Sequence, residues 1–332
     1  MAVSGYSGAV YVYLTKLPIL GACCLTRMAV LTSLTEVTVY NEIDGEPPVP
    51  FTVDVEPSFI GIGGTHVAVG MNNTATFYRI TGQAAVMERE FEYLGSVTML
   101  QLNLNYAAAL LEGRLQLHRI EDNRTEHETD GKIFPETEKG ASHRIMAMAL
   151  TADFLIMGTE AGHIHYFGLE DWKMVNEYRH STGVRSLYAD TSGTRLCIVD
   201  QKRDCYVYSP VNDSIVLVPQ STIRTGALTR EVFWEMWPTD KDVFILNDSE
   251  NLMTFTYQRD QIQGPSVKLV GKTKLPFGHV PLLLYNGDVT CQTQSGRTST
   301  VRLETHQFDP QIDRRSDREL QTQLNNCLLL KR

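Results

Sequence analysis

Short apolar runs separated by polar turns recur along the whole chain. In residues 153–169, a first apolar run at 155–157 precedes a glycine-containing turn at 159–162, and a second run follows at Ile164, Tyr166 and Phe167. Two such runs joined by a short turn are typical of a β-hairpin. The segment therefore predicts two antiparallel strands, and it serves as a template for the rest of the chain.

Six further segments repeat this hairpin pattern. Successive copies are 38 to 48 residues apart, because the first strands of the seven hairpins open at Ala29, Val67, Ala107, Leu155, Leu196, Val243 and Val289. A period of roughly 40 to 45 residues with several short strands per repeat is the signature of a β-propeller. We predict an all-β fold, a seven-bladed β-propeller of the WD40-like type, over residues 22–307.

The segments between the hairpins contain the other strands that four-stranded blades need. Apolar or nearly alternating stretches lie at 51–55, 97–102, 145–150, 184–188 and 232–237. Blades pack face to face, so both faces of a strand can be buried and strict alternation is not required. The most polar stretch, residues 121–143, falls in the longest interval and predicts an exposed loop between blades.

Both ends of the chain break this rhythm. Residues 1–14 resemble the second half of a hairpin, which predicts that the chain begins in mid-blade, and residues 15–27, which contain proline and glycine, predict a linker. Residues 316–332 predict a helical extension, because apolar residues recur there at helical spacing at Leu320, Leu324, Cys327 and Leu328.

Composition narrows the classes of function. The 332 residues carry a net charge of -9, with a pI near 5.5, so there is no basic excess to neutralise phosphates and we expect no nucleic-acid partner. No run approaches the ~18 apolar residues of a membrane span, so we expect no direct membrane insertion. The N-terminus lacks the pattern of a signal peptide, and the six cysteines form no CxxC pair, so we expect reduced, mostly buried thiols in the cytosolic compartment.

Few residues suggest chemistry. His163 and His165 lie two apart on a predicted strand and share a face, so they could ligate a metal, but spacing ties no third ligand to them and polar residues are common at a propeller rim. We therefore predict no metal site. Gly61, Gly63 and Gly64 form a GxGG without a P-loop lysine, so we predict a tight strand turn there and no cofactor.

Three tryptophans form the candidate interaction surface. Trp234 and Trp237 belong to the densest group of large apolar residues, in which alternation places Trp234 and Met236 on one strand face and Trp237 on the other. Packing between blades is the commoner use of such side chains, whereas exposed ones anchor partners. Trp172 lies in a turn-like sequence and is expected to be half exposed. The candidate surface is thus Trp172, Trp234 and Trp237.

Long stretches of the sequence resemble a known family. They include YLTKLPILG at 13–21, RMAVLTSLTEVTV from Arg27, and the later stretches EDWKMVNEYRH, WEMWPTDKDVF and PLLLYNGDVTCQTQSG. Over nearly the whole chain the sequence is similar to the WD repeat-containing protein 19 family, whose members are subunits of intraflagellar transport complex A. The resemblance implies that residues 1–14 are the last strands of a preceding propeller, that residues 22–307 form a second propeller, and that residues 316–332 begin a TPR-like helical solenoid.

The same resemblance implies a function. It is that of a non-enzymatic scaffold in complex A, with a role in retrograde intraciliary transport, cilium assembly and the entry of membrane proteins into the cilium. The implied partners are the other subunits of complex A, with tubby-family adaptors and membrane cargo as further candidates. The implied location is the cilium, the basal body at its base, and the cytoplasm and cytoskeleton. The family offers no catalytic residues to carry over.

Two alternatives are also compatible with the sequence. A vesicle-coat subunit with WD repeats and a solenoid would have the same architecture at another location. A propeller enzyme would need carboxylates or histidines that converge at one mouth of the central channel.

Overall fold

A computed structural model describes residues 2–8, 10–12, 17–121, 131–135, 143–219, 231–238, 242–259 and 261–304. All regular elements in these residues are β-strands, and none of the described residues forms a helix long and apolar enough to cross a membrane. The strands form seven consecutive antiparallel sheets arranged as blades, which confirms the predicted seven-bladed β-propeller. A separate two-stranded hairpin, β1 (Ala2–Ser4) and β2 (Val10–Val12), precedes them.

The first four blades each contain four strands in chain order. Blade 1 consists of β3 (Gly21–Cys24), β4 (Arg27–Ser33), β5 (Glu36–Asn41) and β6 (Glu46–Thr52). Blade 2 consists of β7 (Phe59–Ile62), β8 (His66–Met71), β9 (Thr74–Thr81) and β10 (Ala84–Glu92). Blade 3 consists of β11 (Met99–Leu102), β12 (Tyr106–Leu110), β13 (Leu115–Arg119) and β14 (Gly131–Phe134). Blade 4 consists of β15 (Ile145–Leu150), β16 (Phe154–Thr159), β17 (His163–Gly168) and β18 (Lys173–Arg179).

The last three blades complete the ring. Blade 5 consists of β19 (Val184–Ala189), β20 (Leu196–Asp200), β21 (Cys205–Ser209) and β22 (Ser214–Leu217). Blade 6 consists of β23 (Glu231–Trp234), β24 (Val243–Asn247), β25 (Asn251–Gln258) and β26 (Ser266–Lys274). Blade 7 has three described strands, β27 (His279–Tyr285), β28 (Asp288–Thr293) and β29 (Thr298–Arg302).

The first strands of successive blades contact each other around the ring, and β27 of blade 7 contacts β3 of blade 1. Because strands within a blade are antiparallel, the first–second and third–fourth connections lie on one face of the ring, which we call face 1. The second–third connections and the links between blades lie on the opposite face, which we call face 2. These two faces carry the turns on which partner-binding residues can be displayed.

The core lies between the blades. One apolar cluster joins blades 5 and 6, for example, and includes Val207, Phe244 and Phe255. The second strands are buried on both faces, as in β12, where all five residues are buried. The continuous apolar runs of the sequence therefore mark these inner strands, as expected for sheets that are covered on both sides.

Two of the three glycines of the GxGG stretch lie in the predicted tight turn: Gly63 and Gly64 belong to the three-residue connection between β7 and β8, where the Gly63 N–H donates to the His66 carbonyl oxygen at 2.8 Å. Gly61 lies within β7, and a Cβ there would come within 2.6 Å of Leu102 Cδ1 of the next blade. A Cβ on Gly63 would press against the backbone carbonyl oxygen of Asn103. These glycines are required because the inner strands of blades 2 and 3 approach closely at this point.

A buried polar residue directly follows the first strand in four consecutive blades. Each accepts hydrogen bonds from nearby backbone N–H groups, so it fixes the turn on face 1 without leaving buried donors unpaired. The four are Asn103, Thr151, Asp190 and Glu235. Glu235 also accepts N–H groups of the next blade, from Asn286 at 2.7 Å and Gly287 at 2.8 Å.

Some boundaries differ from the sequence predictions. The predicted linker, residues 15–27, contains β3, which pairs with β4 and starts blade 1. The polar stretch 121–143 contains β14, the outer strand of blade 3, so it is not loop throughout. Residues 316–332, with the predicted helical extension, lie outside the described residues. The assignment of residues 1–14 to a preceding propeller stays a prediction.

Candidate interaction surface and a histidine pocket

Trp234 does not belong to a surface that a partner could contact. Its side chain is 6% exposed between blades 5 and 6. Its indole Nε1 donates a hydrogen bond to the Tyr188 carbonyl oxygen at 3.0 Å, and the Arg195 guanidinium lies 5.2 Å from the ring centroid. Trp234 therefore joins two blades, and the sequence-based expectation for it is corrected.

Trp172 and Trp237 are both half-buried. Trp172 lies between β17 and β18 with a φ of 51°, and its ring packs edge-on against Tyr106 and Phe167 at centroid distances of 5.9 Å. Trp237 follows β23 and packs perpendicular to Tyr285 at 5.3 Å. The first sits on a third–fourth connection and the second on a first–second connection, so both lie on face 1. Each rests on an aromatic support and keeps part of its ring accessible.

His163 and His165 lie at a cluster that the sequence did not reveal in full. Both are on β17, and Glu177 on the adjacent β18 stands directly opposite His165 in the strand pairing. The nitrogen and oxygen atoms that these three residues could offer to a metal all lie within 4.8 Å of one another. His163 Nδ1 is 3.2 Å from Glu177 Oε1. A bulge in β18 shifts its register so that Glu177 becomes the third residue of the cluster. Spacing along the chain could not predict this residue.

The cluster opens into a pocket between blades 3 and 4 with a volume of about 790 Å³. Apolar walls come from Phe134 of blade 3 and from Met157 and Phe167 of blade 4. Two lysines, Lys132 and Lys173, also line it. The Lys132 ammonium lies 4.7 Å from the Phe167 ring centroid, a distance at which the ring face attracts the charge.

The imidazoles of this pocket are stacked. The His163 and His165 rings are 5.9 Å apart and 3° from parallel, and the His143 ring is 5.5 Å from that of His163. Burial, with a smaller contribution from His163, holds the pKa of His165 below its usual range, although the Glu177 carboxylate acts in the opposite direction. His165 is therefore neutral near pH 7.

The position of this cluster bears on the enzyme alternative. In the part of the chain that the structure describes, it is the one group of three or more His, Cys, Asp and Glu residues with potential ligand atoms this close together. It lies on the third and fourth strands of its blade, whereas the central channel is lined by the first strands. The described residues thus do not favour a channel-mouth catalytic site.

Comparison with solved structures supports the fold. The chain is similar to the β-propeller domain of Cps50 (Swd1) from Myceliophteria thermophila, with a TM-score of 0.60 and 15% identity over 84% of this chain and 94% of the other. It is also similar to Hsv2 of Kluyveromyces lactis, with a TM-score of 0.57 and 10% identity over 76% and 84%. At these identities the likeness shows the propeller fold alone.

Comparison with protein sequences shows the family. WD repeat-containing protein 19 is 48% identical in Mus musculus and 47% in Homo sapiens, and dyf-2 of Caenorhabditis elegans is 34% identical, in each case over 100% of this chain. The chain spans about a quarter of the length of these relatives. The model of the WDR19 second β-propeller matches residues 28–306. The chain therefore belongs to the family of the second β-propeller of WD repeat-containing protein 19.

Proposed function

We propose that this propeller is a non-enzymatic scaffold module of intraflagellar transport complex A. In this role it contributes to retrograde intraciliary transport, to cilium assembly and to the entry of membrane proteins into the cilium. Its partners are the other subunits of the complex, and tubby-family adaptors and membrane cargo are further candidates. The protein acts at the cilium and at the basal body, with a pool in the cytoplasm and on the cytoskeleton.

One observation carries the proposal: the family match extends over residues 28–306, nearly the whole propeller, and the identity to WD repeat-containing protein 19 is close to half. The fold suits such a role physically. A closed ring of blades protects its strand edges and presents two rigid faces of turns, so a large partner can dock without edge-to-edge aggregation.

We further propose face 1 as the surface that contacts a neighbouring subunit. Trp172 and Trp237 provide half-exposed aromatic area on that face, and each is held in place by a packed aromatic neighbour. Rigid aromatic side chains bury a large area at a small cost in conformational entropy, which is why they dominate binding energy at interfaces.

Affinity purification from ciliated cells tests the proposal. The tagged full-length parent protein, with and without residues 22–307, is purified and its associated proteins are identified by mass spectrometry. The other complex A subunits should copurify with the intact protein, and a subset should be lost on deletion. Recovery of vesicle-coat subunits instead, or of no complex A subunit, would contradict the scaffold assignment.

A variant pair refines the test to the surface. In the full-length protein, W172A together with W237A should weaken at least one subunit contact roughly 30-fold or more, because truncation of even one hot-spot residue costs on the order of 2 kcal/mol. M71A provides a control, since Met71 is a large exposed apolar residue at the end of β8, beside the turn to β9 on face 2. Equal weakening by both variants would argue against face 1.

A further inference from the structure

The cluster of His163, His165 and Glu177 has the composition and layout of a metal site. Two residues that are two apart on β17 project from the same side of the sheet, and the pairing of His165 with Glu177 brings the carboxylate to that side. Two imidazoles and one carboxylate are a ligand set that zinc uses where a fourth position stays open.

The distances in this cluster are close to those that a zinc ion requires. Ligand atoms about 2.0 to 2.2 Å from a tetrahedral zinc lie about 3.3 to 3.6 Å from one another. The His163 Nδ1 to Glu177 Oε1 separation is already 3.2 Å, and every ligand-atom pair of the cluster lies within 4.8 Å. Side-chain rotations that move the ligand atoms by about 1 Å would bring all three residues to these distances, and the paired strands hold the backbone in place.

The surroundings leave room for the ion and for a fourth ligand. The cluster faces the pocket of about 790 Å³, and Glu177 retains 59% of its side-chain exposure, so an ion can enter from solvent. Lys173 pairs with Gly168, three residues beyond His165 and about 10 Å along the strand, and the Lys132 ammonium rests over aromatic rings.

The three imidazoles of the pocket do not belong to the apolar core. His163, His165 and His143 lie with nearly parallel rings, yet none of them is fully buried and the apolar wall of the pocket is made by other residues. We propose that His163, His165 and Glu177 bind a zinc-class divalent cation on the rim of blade 4, with the fourth position open to the pocket between blades 3 and 4.

Titration of the chelator-treated 332-residue chain with zinc chloride in a calorimeter tests the proposal. One equivalent should bind saturably, and cobalt chloride should give the visible absorption bands of a four-coordinate site with the same stoichiometry. H163Q, H165Q and E177Q should each weaken zinc binding by more than the loss of an outer-shell partner does, which is about 10- to 100-fold. Thermal unfolding of each variant establishes that the fold is retained.

Two control variants locate the site. H279A removes a histidine of blade 7, and H143A removes the imidazole that stacks on His163 but is not in the group of mutually close ligand atoms. Both should bind zinc as the unmodified chain does. Absence of saturable binding overturns the proposal. Binding that survives in the double variant H163Q with H165Q overturns it as well, because it would indicate that thiols such as Cys23 and Cys24 hold the metal. Loss of binding in H143A would overturn the three-residue assignment.

Discussion

At the residue scale, His118 illustrates how burial sets a protonation state. Its ring is 5% exposed between blades 2 and 3 and stacks on Phe91 at 4.0 Å. Nδ1 lies 2.8 Å from the Arg119 carbonyl oxygen and donates to it, so Nε2 is the acceptor for the Tyr93 hydroxyl at 3.0 Å. This neutral tautomer satisfies both ring nitrogens, and the Arg89 guanidinium 3.2 Å from Nδ1 disfavours a second proton.

The buried ring predicts a loss of stability in mild acid. Burial, with Arg89 as a further cause, lowers the pKa of His118 to about 4, whereas an unfolded histidine has a pKa near 6.5. Between these values the unfolded chain binds more protons than the folded chain, so the unfolding free energy falls as the pH drops from about 6.5 to 4, by on the order of 3 kcal/mol.

Denaturant unfolding of the chain and of H118Q across this pH range provides the measurement. The difference in unfolding free energy between the two proteins should be largest near pH 7 and should shrink as the pH approaches 4, because glutamine does not titrate there. A difference that is constant with pH would show that His118 is not a buried neutral group.

Gly63 and Gly64 provide a matched pair at the same scale. A Cβ on Gly63 would collide with the backbone oxygen of Asn103, which cannot move without displacing blade 3, whereas a Cβ on Gly64 would lie 3.1 Å from the end of the exposed Leu104 side chain. We expect G63A to lower the unfolding free energy by about 1 to 3 kcal/mol, as overpacking does, and G64A to cost clearly less. Equal costs in denaturant unfolding would refute the close approach of blades 2 and 3.

At the scale of elements, the turns after the first strands are held by buried polar side chains. Glu235 is 2% exposed and receives three backbone N–H groups, from Trp237 in its own turn and from Asn286 and Gly287 in blade 7. The carboxylate therefore links two neighbouring blades, and it offers only acceptors to groups that only donate.

Replacement of this carboxylate by an amide should be costly. In E235Q the side-chain NH₂ must face a backbone N–H, so at least one buried donor loses its acceptor and the unfolding free energy falls by about 1 to 3 kcal/mol. E112Q is the control, since Glu112 is exposed in the turn between β12 and β13 and should change stability by less than about 0.5 kcal/mol. Urea unfolding of both variants at neutral pH measures these changes in stability. An E235Q protein as stable as E112Q would contradict the expected loss of a buried hydrogen bond.

The elements also show what the sequence could reveal. The hairpin pattern at 153–169 corresponds to β16 and β17, with Leu155 opposite Phe167 as the apolar runs predict. β10 was not recognised because it is an outer strand with charged, largely exposed residues, and β14 was predicted as loop because its four residues lie in a polar stretch. Pattern identifies strands that are buried on both faces and misses those at the rim.

The sequence predicted only part of the candidate site, for a similar reason. Alternation correctly placed His163 and His165 on one face of a strand. The pairing of His165 with Glu177 depends on the bulge between Tyr166 and Phe167, which no spacing rule predicts. For Trp234 the residue type indicated either an interface anchor or a core residue, and only the neighbouring blade, through the Tyr188 carbonyl, determines which.

At the scale of the whole molecule, the ring closes between blades 7 and 1. Leu282 and Leu283 of β27 pack against Met28 and Val30 of β4 in one apolar cluster. At its edge the fully buried Gln292 donates from Nε2 to the Leu31 carbonyl oxygen at 3.2 Å across the junction. Contacts between faces of the two blades, rather than pairing along their edges, close the ring in the described residues.

This junction should be the first part of the ring to open when Gln292 is removed. Q292A leaves a cavity at the seam and removes the donor to the Leu31 carbonyl, but it also removes the buried Gln292 Oε1, which has no hydrogen-bond partner among the described residues, so it should lower the unfolding free energy by about 1 to 3 kcal/mol. Because the loss is local, amide hydrogen exchange should accelerate in β3, β4, β27 and β28, while the strands of blades 3 and 4 keep their protection. Q294A alters a half-buried glutamine in the turn between β28 and β29 of blade 7, near Gly278 in the link between blades 6 and 7, and should leave the exchange of blade 1 unchanged. Uniform acceleration in all blades would mean that the ring opens as one cooperative unit rather than at this seam.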